Sequence, residues 1–312
     1  MNLNFLYCFD NNFNQQAMTS ICSLLDKTTI KINLYIIHND IEELKNWLQP
    51  VEQHPMILSI NIYDFNDLDT ELPPIKTHIS EATYYRMFVS NFITDNIKYL
   101  VYLDADIICL NDPASMIKNT ISTMKKEDTS IAALPEKYRA KENKWIQRLN
   151  LKNYYFNAGV LIIDLERWVD EEAQKNLLSI LKQRYDVIKD YDQEVMNIFF
   201  NEKYTSLNVY SNYQATSADP ELLVKIKEQV IFLHYLGKSK PWSVEGAAKP
   251  LSVFYQNEYR KLGRGKYHIA FKRDKYILKK YLKIIISLEF LKLEYPGNYL
   301  VKSLTSLIWP KR

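Results

Sequence analysis

Seven short apolar runs, separated by stretches of helical spacing, constrain the fold of this chain more than any other feature. The runs lie at Leu3–Phe9, Ile32–His38, Met56–Tyr63, Lys98–Leu103, Ser130–Leu134, Tyr155–Ile163 and Val230–His234. Helical patterns fall between them, over Gln15–Leu25, Glu42–Leu48, Glu81–Phe92, Pro113–Met124, Leu165–Tyr185 and Gln193–Phe200. Strands that alternate with helices predict a three-layer α/β domain on a largely parallel sheet. Ligand sites in such sheets collect at the carboxyl ends of the strands, so a polar residue that closes an apolar run is the most informative kind. At 312 residues the chain can bury a core of this type without staples. Its three cysteines, Cys8, Cys22 and Cys109, show no CxxC spacing and are expected to be reduced thiols.

Glycine is scarce, with six residues in all and the first at Gly159. A GxGxxG dinucleotide fingerprint or a phosphate-cradling P-loop needs several glycines in an early strand-to-helix turn. Both are therefore excluded from the first half of the chain, and a bound nucleotide would need another means of neutralising its phosphates. Charge is divided too. Residues 260–312 hold 14 Lys and Arg against Asp274, Glu289 and Glu294, within an overall balance of +3, so the body is acidic and the tail basic. In the tail, Ile277, Tyr281, Ile284, Ile285 and Leu288 share one helix face, with Lys279, Lys280 and Lys283 opposite. A basic amphipathic helix suits an anionic membrane surface; the alternative is a terminal helix packed on the domain with solvated lysines. No apolar run is long enough to span a bilayer, and Met1–Asp10 has no basic lead. The expected location is the cytoplasm, at the inner face of the plasma membrane. The basic residues have no aromatic platforms arranged for bases, which argues against nucleic acid.

Three strand ends carry chemistry. Tyr99–Leu103 runs directly into Asp104-Ala105-Asp106, and in extended backbone the two carboxylates would point to the same side. So close a pair repels unless a cation lies between, and oxygen ligands favour Mg²⁺ or Mn²⁺; capping or turn-forming aspartates are the plain alternative. Asp67-Leu68-Asp69 and Asp190-Tyr191-Asp192 lack the apolar run ahead of them. Val230–Leu233 ends at His234, followed by Gly237, Lys240 and the rigid Pro241-Trp242. A histidine joins two carboxylates naturally around Mn²⁺, and a lysine offers a point charge to phosphate; taken singly, His234 reads as a hydrogen-bonded histidine at a strand end. Asn157 stands before Ala158-Gly159 at the start of another apolar run, where its amide could hold sugar hydroxyls or simply open a bulge.

In this order the motifs resemble the family 8 glycosyltransferases, which include bacterial lipopolysaccharide galactosyl- and glucosyltransferases and, more distantly, glycogenin. The resemblance covers residues 3–245. It implies a GT-A fold over 1–259, with a mixed, mostly parallel sheet flanked by helices, followed by the basic helical tail over 260–312. It also implies a UDP-hexose donor, Mn²⁺ (or Mg²⁺), a saccharide or lipid-linked glycan acceptor and retention of configuration. Residue by residue, Asp104 and Asp106 match the family's metal-binding pair and His234 its third ligand. Gly237 and Lys240 match its diphosphate contacts, in a complete H-x-x-G-x-x-K-P-W element. Asp10 and Asn12 match the uridine loop, Arg86 the arginine that reaches the donor, and Asn157 the donor-sugar asparagine. Asp192 and Gln193 match the acid and amide beside the anomeric carbon. Segments 136–153 and 207–219 match nothing at residue level and would shape the acceptor pocket. Two rivals stand beside this reading: a nucleotidyltransferase that makes a sugar nucleotide from a sugar phosphate, and a catalytically silent peripheral membrane protein on the same fold.

Overall fold

Continuous apolar runs of strand length are what a buried sheet demands, and six of the seven enter one large sheet while Val230–His234 enters a second. The computed structural model describes residues 2–308 except 76–79, 95, 137–143, 153, 202, 215–219 and 271–274. Among the described residues there are ten strands: β1 (Leu3–Cys8), β2 (Ile32–His38), β3 (Ile57–Asp64), β4 (Tyr99–Leu103), β5 (Ile107–Cys109), β6 (Ile131–Pro135), β7 (Phe156–Asp164), β8 (Tyr204–Ser206), β9 (Tyr213–Gln214) and β10 (Phe232–His234). Seven form one sheet in the order β3-β2-β1-β4-β7-β6-β8, and three form a second in the order β5-β10-β9. From β3 to β4 the pairing is parallel; β7 runs antiparallel to both β4 and β6, and β8 is parallel to β6.

β4 lies between the two cores. Tyr99, Val101 and Leu103 pack on the side covered by the helix Asn14–Lys27, and Leu100 and Tyr102 on the side of Tyr84, Tyr85 and Met87. All seven predicted strands are present within one or two residues. The strands β5, β8 and β9, of two or three residues, had no signal of their own. Two helices differ from expectation. Glu81–Phe92 begins as a 3-10 helix over Glu81–Phe88 and becomes α-helical at Val89–Phe92. Three residues per turn stack Thr83 and Arg86 in one row, which aims both at the same neighbour. Leu165–Tyr185 is two helices, Leu165–Asp170 and Ala173–Arg184, parted where Glu172 takes φ 48.

The tail packs on the body. Tyr281 and Ile284, from the helix Lys275–Ile286, and Tyr299, from the helix Pro296–Ile308, share a core with Val244, Ala247, Tyr267 and Ile269. Ile277 and Ile285 lie against it as well, so most of the predicted apolar face is turned inward. Leu288 departs from that face: it is 56% exposed and takes φ 56 beyond the helix end, where it opens the 3-10 turn Glu289–Lys292. Lys280 is not free on the far side but pairs with Glu245. The outward side carries Leu278, Leu282 and Ile286, exposed beside Lys279 and Lys283. No helix among the described residues is long and apolar enough to cross a membrane. All three cysteines are buried and unbridged.

Candidate active site

The chain passes from the large sheet to the small one through the Asp104-Ala105-Asp106 segment. It is a turn, not the extended backbone expected: Asp104 follows β4, Ile107 N returns to Asp104 O at 3.3 Å, and β5 begins at Ile107. β5 pairs with β10 so that Ile107 faces His234, and Tyr235 N donates to Asp106 O at 3.1 Å. The turn thus still brings the carboxylates to one point, with the imidazole between them. His234 Nε2 lies 3.1 Å from Asp106 Oδ1 and 3.7 Å from Asp104 Oδ2. One ligand atom from each residue fits within 4.8 Å, and this is the one such grouping among the described residues. The buried Asp106 Oδ1 has no well-directed hydrogen bond. Two carboxylates, one imidazole and an orphaned carboxylate oxygen fit a hard divalent cation. Lys240 places its ammonium on Asp106 Oδ2 and on the carbonyl of Tyr235. Against the upward pull of burial, the Lys240 ammonium beside it holds the Asp106 carboxyl well below the usual range.

A second set of charges stands behind the first. Arg86 is buried, with Nη1 3.2 Å from Asp104 Oδ1 and Nε 2.7 Å from Asp192 Oδ2. The guanidinium also donates to Ala158 O at 2.6 Å and lies over the Tyr102 ring, while Tyr102 OH donates to Asp104 Oδ1 at 2.6 Å. Thr83 donates to Asp192 Oδ1. Burial pushes the Asp192 carboxyl up to about 6, helped by Asp104 and opposed by Arg86 and Thr83. Asp192 sits in the first turn of the helix Tyr191–Phe200, whose N-cap position is held by Asp190; the residue before it, Tyr191, takes φ 38, in the left-handed region.

Asn157 and Gln193 meet at 3.2 Å, and Gln193 also accepts from Ala158 N and donates to Tyr155 OH. Arg86, Asn157, Asp192, Gln193, Asp104, Asp106, His234 and Lys240 therefore form one contact network. Asp10 and Asn12 lie beyond it, at the carboxyl end of β1, beside β4 in the sheet. Asp10 accepts from Asn12 N at 2.9 Å and from Ser80 Oγ at 2.5 Å, which ties the loop to the segment that carries Thr83 and Arg86. Gly237 takes φ 71 in the loop ahead of Lys240. Sequence reasoning missed Tyr102, Thr83, Tyr155 and Asn212. The first three lie within motifs already singled out; Asn212 lies in the segment that matched nothing.

Gly159 explains how the cluster closes. A Cβ there would lie 2.2 Å from His234 Cε1, 2.7 Å from its Nδ1 and 2.9 Å from Asp104 Oδ2. Gly159→Ala is expected to displace the imidazole and weaken Mn²⁺ binding by about 10-fold or more, read by titrating free Mn²⁺ against the folded variant. Wild-type affinity in that variant would count against the cluster as a cation site.

The family model described as Glycosyl transferase family 8 matches residues 4–246. A lipopolysaccharide 1,2-glucosyltransferase of Escherichia coli K12 is 27% identical over 77% of this chain and 72% of its own length. A lipopolysaccharide 1,3-galactosyltransferase of Salmonella typhimurium is 26% identical over 81% and 76%. Among solved structures, the galactosyltransferase LgtC, crystallised with donor and acceptor sugar analogues, superposes with a TM-score of 0.68 at 19% identity, over 84% of this chain and 97% of that one. That likeness places the domain in the GT-A fold. On the family match over most of its length, the chain belongs to glycosyl transferase family 8.

Proposed function

We propose that this glycosyltransferase moves a hexose, glucose or galactose, from a UDP-sugar to a hydroxyl of a saccharide or lipid-linked glycan, with retention of anomeric configuration. The observation that carries the reading is the convergence of Asp104, Asp106 and His234 with Arg86, Asn157, Asp192 and Gln193 in one contact network, in which Asp104 and Asp106 are half-buried and His234, Arg86 and Asp192 buried. The names of the similar glucosyl- and galactosyltransferases support the hexose and an acceptor of the lipopolysaccharide type. Asp104, Asp106 and His234 would hold Mn²⁺ or Mg²⁺, which supplies stabilisation of the charge that develops on the departing diphosphate. Lys240, already against Asp106, shares that load with the backbone around Gly237. Asp10 and Asn12 hold the uridine, and Asn157 the donor sugar.

In the step itself the C1–O bond to the diphosphate breaks as the acceptor oxygen bonds to C1 from the same face. The acceptor proton passes to the departing phosphate oxygen. Retention by double displacement would need a free nucleophile. Asp192 is held on one oxygen by Thr83 and on the other by Arg86, and Gln193 Oε1 already accepts two hydrogen bonds. Both residues are better disposed to orient the sugar and to stabilise positive charge on its ring than to attack it.

Released UDP, measured across UDP-sugars with Mn²⁺ and no acceptor, should identify one hexose donor, and Asp106→Ala should abolish the signal. No release from any donor, with no thermal shift by UDP and Mn²⁺, would sink the transferase reading; pyrophosphate formed from UTP and a hexose 1-phosphate would favour the nucleotidyltransferase. A second expectation concerns pH. Below about pH 6 Asp192 gains a proton and loses its charge against Arg86, so turnover should fall on an acid limb there. Thr83→Val removes a hydrogen bond worth about 1 kcal/mol to the carboxylate and should raise that limb by somewhat under one pH unit; an unmoved limb assigns it to another group.

The reading extends to a membrane surface. Leu278, Leu282 and Ile286 on one tail helix, and Val301 and Leu304 on the other, are exposed among lysines, which suits an anionic leaflet holding a lipid-linked acceptor. Because the same helices pack on Val244 and Ala247, just beyond Lys240, deletion of residues 275–312 should lower donor hydrolysis as well as binding to anionic vesicles. Undiminished vesicle binding by the truncated chain would remove the membrane proposal.

A further inference from the structure

Two backbone amides assign the polarity of a buried chain of side chains. Gly159 N donates to Asn157 Oδ1 at 3.0 Å, and Ala158 N to Gln193 Oε1 at 2.9 Å. A backbone N–H can only donate, so these contacts fix which end of each amide is oxygen. Asn157 Nδ2 then donates to Gln193 Oε1 at 3.2 Å. On the other side, Asn157 Oδ1 meets Asn212 at 2.8 Å, and Asn212 must offer its Nδ2 there. That leaves Asn212 Oδ1 facing His234 Nδ1 at 3.0 Å, a contact that holds only if Nδ1 carries a proton. Nε2 is then the nitrogen presented to Asp104 and Asp106.

The placement is built in. Asn212 stands between the 3-10 turn Val209–Ser211 and β9, and β9 runs beside β10 with Gln214 in register with His234. Asn212 is 0% exposed and His234 2%, so water does not compete strongly for either contact. We propose that Asn212 is a positioning residue: one amide holds His234 in the Nδ1–H tautomer and orients Asn157, so that the cation site and the sugar-facing amides are set together. The inference rests on the metal and donor roles proposed above.

Its two bonds can be separated by substitution. Asn212→Ala removes both; Asn212→Asp keeps an acceptor for His234 Nδ1–H but loses the donor to Asn157. The full chain, free of donor, is titrated with Mn²⁺ and the free ion followed by its paramagnetic resonance; UDP-sugar hydrolysis is then measured at saturating Mn²⁺. Asn212→Ala should bind Mn²⁺ about 10-fold to 100-fold more weakly, whereas Asn212→Asp should stay within about threefold of wild type yet lose about 10-fold or more in turnover. A general loosening of the fold would not divide the two readouts in this way, and Asn212→Asp serves alone should Asn212→Ala fail to fold. Parallel loss of Mn²⁺ affinity and turnover in Asn212→Asp, or wild-type Mn²⁺ affinity in folded Asn212→Ala, would overturn the proposal. A wild-type chain that binds no Mn²⁺ overturns the metal reading, and this inference with it.

Discussion

Like charges forced together at the end of β4 are the constraint around which the rest is arranged. The turn from one sheet to the other leaves Asp104 and Asp106 side by side, and Asp192 adds a third carboxylate behind them that is almost wholly buried. Carboxylates removed from water must be paired. Arg86 spans Asp104 and Asp192, Lys240 covers Asp106, and His234 stands between Asp104 and Asp106. The cation that would complete this set is an extension of a balance the side chains already keep. Burial nevertheless leaves Asp192 reluctant to ionise, the kind of perturbation that functional sites concentrate.

Much of this was legible in the sequence because strand ends were legible. Long apolar runs place strands to within a residue or two, and the residues that close them, Asp104 and His234, fall where an α/β sheet gathers its ligands. What was lost is equally physical. A strand of two residues, such as Tyr213–Gln214, has no period to detect. The break before Ala173 uses Glu172 in a left-handed conformation, where glycine would have announced it. The amphipathic pattern of the tail found the right face but could not say what that face touches, since a domain and a membrane ask for the same spacing. Asn212 was out of reach altogether: its contacts come from strand register, and nothing adjacent in sequence points to them.

The lysine loop and the tail are less separate than their compositions suggest. Gly246 lies so close to the Lys240 backbone that a Cβ would fall 1.9 Å from its carbonyl oxygen. Tyr299 OH donates to Val244 O at 2.8 Å, and Ala270 N to Trp242 O at 2.8 Å. His268 stacks on Trp242. The segment from Lys240 to Ala247 is thus gripped from behind by residues that the charge pattern alone would have assigned to another unit.

The seam between the sheets has one more implication. Asp104 follows the last residue of β4 in the large sheet, and His234 is the last residue of β10 in the small one. A ligand that engages both is a cross-link between two sheets, and its binding free energy adds to the resistance of that junction to opening by mass action. Preparations that retain different amounts of cation would then melt at different temperatures while sharing one fold, and a chelator would act on this protein as a mild denaturant.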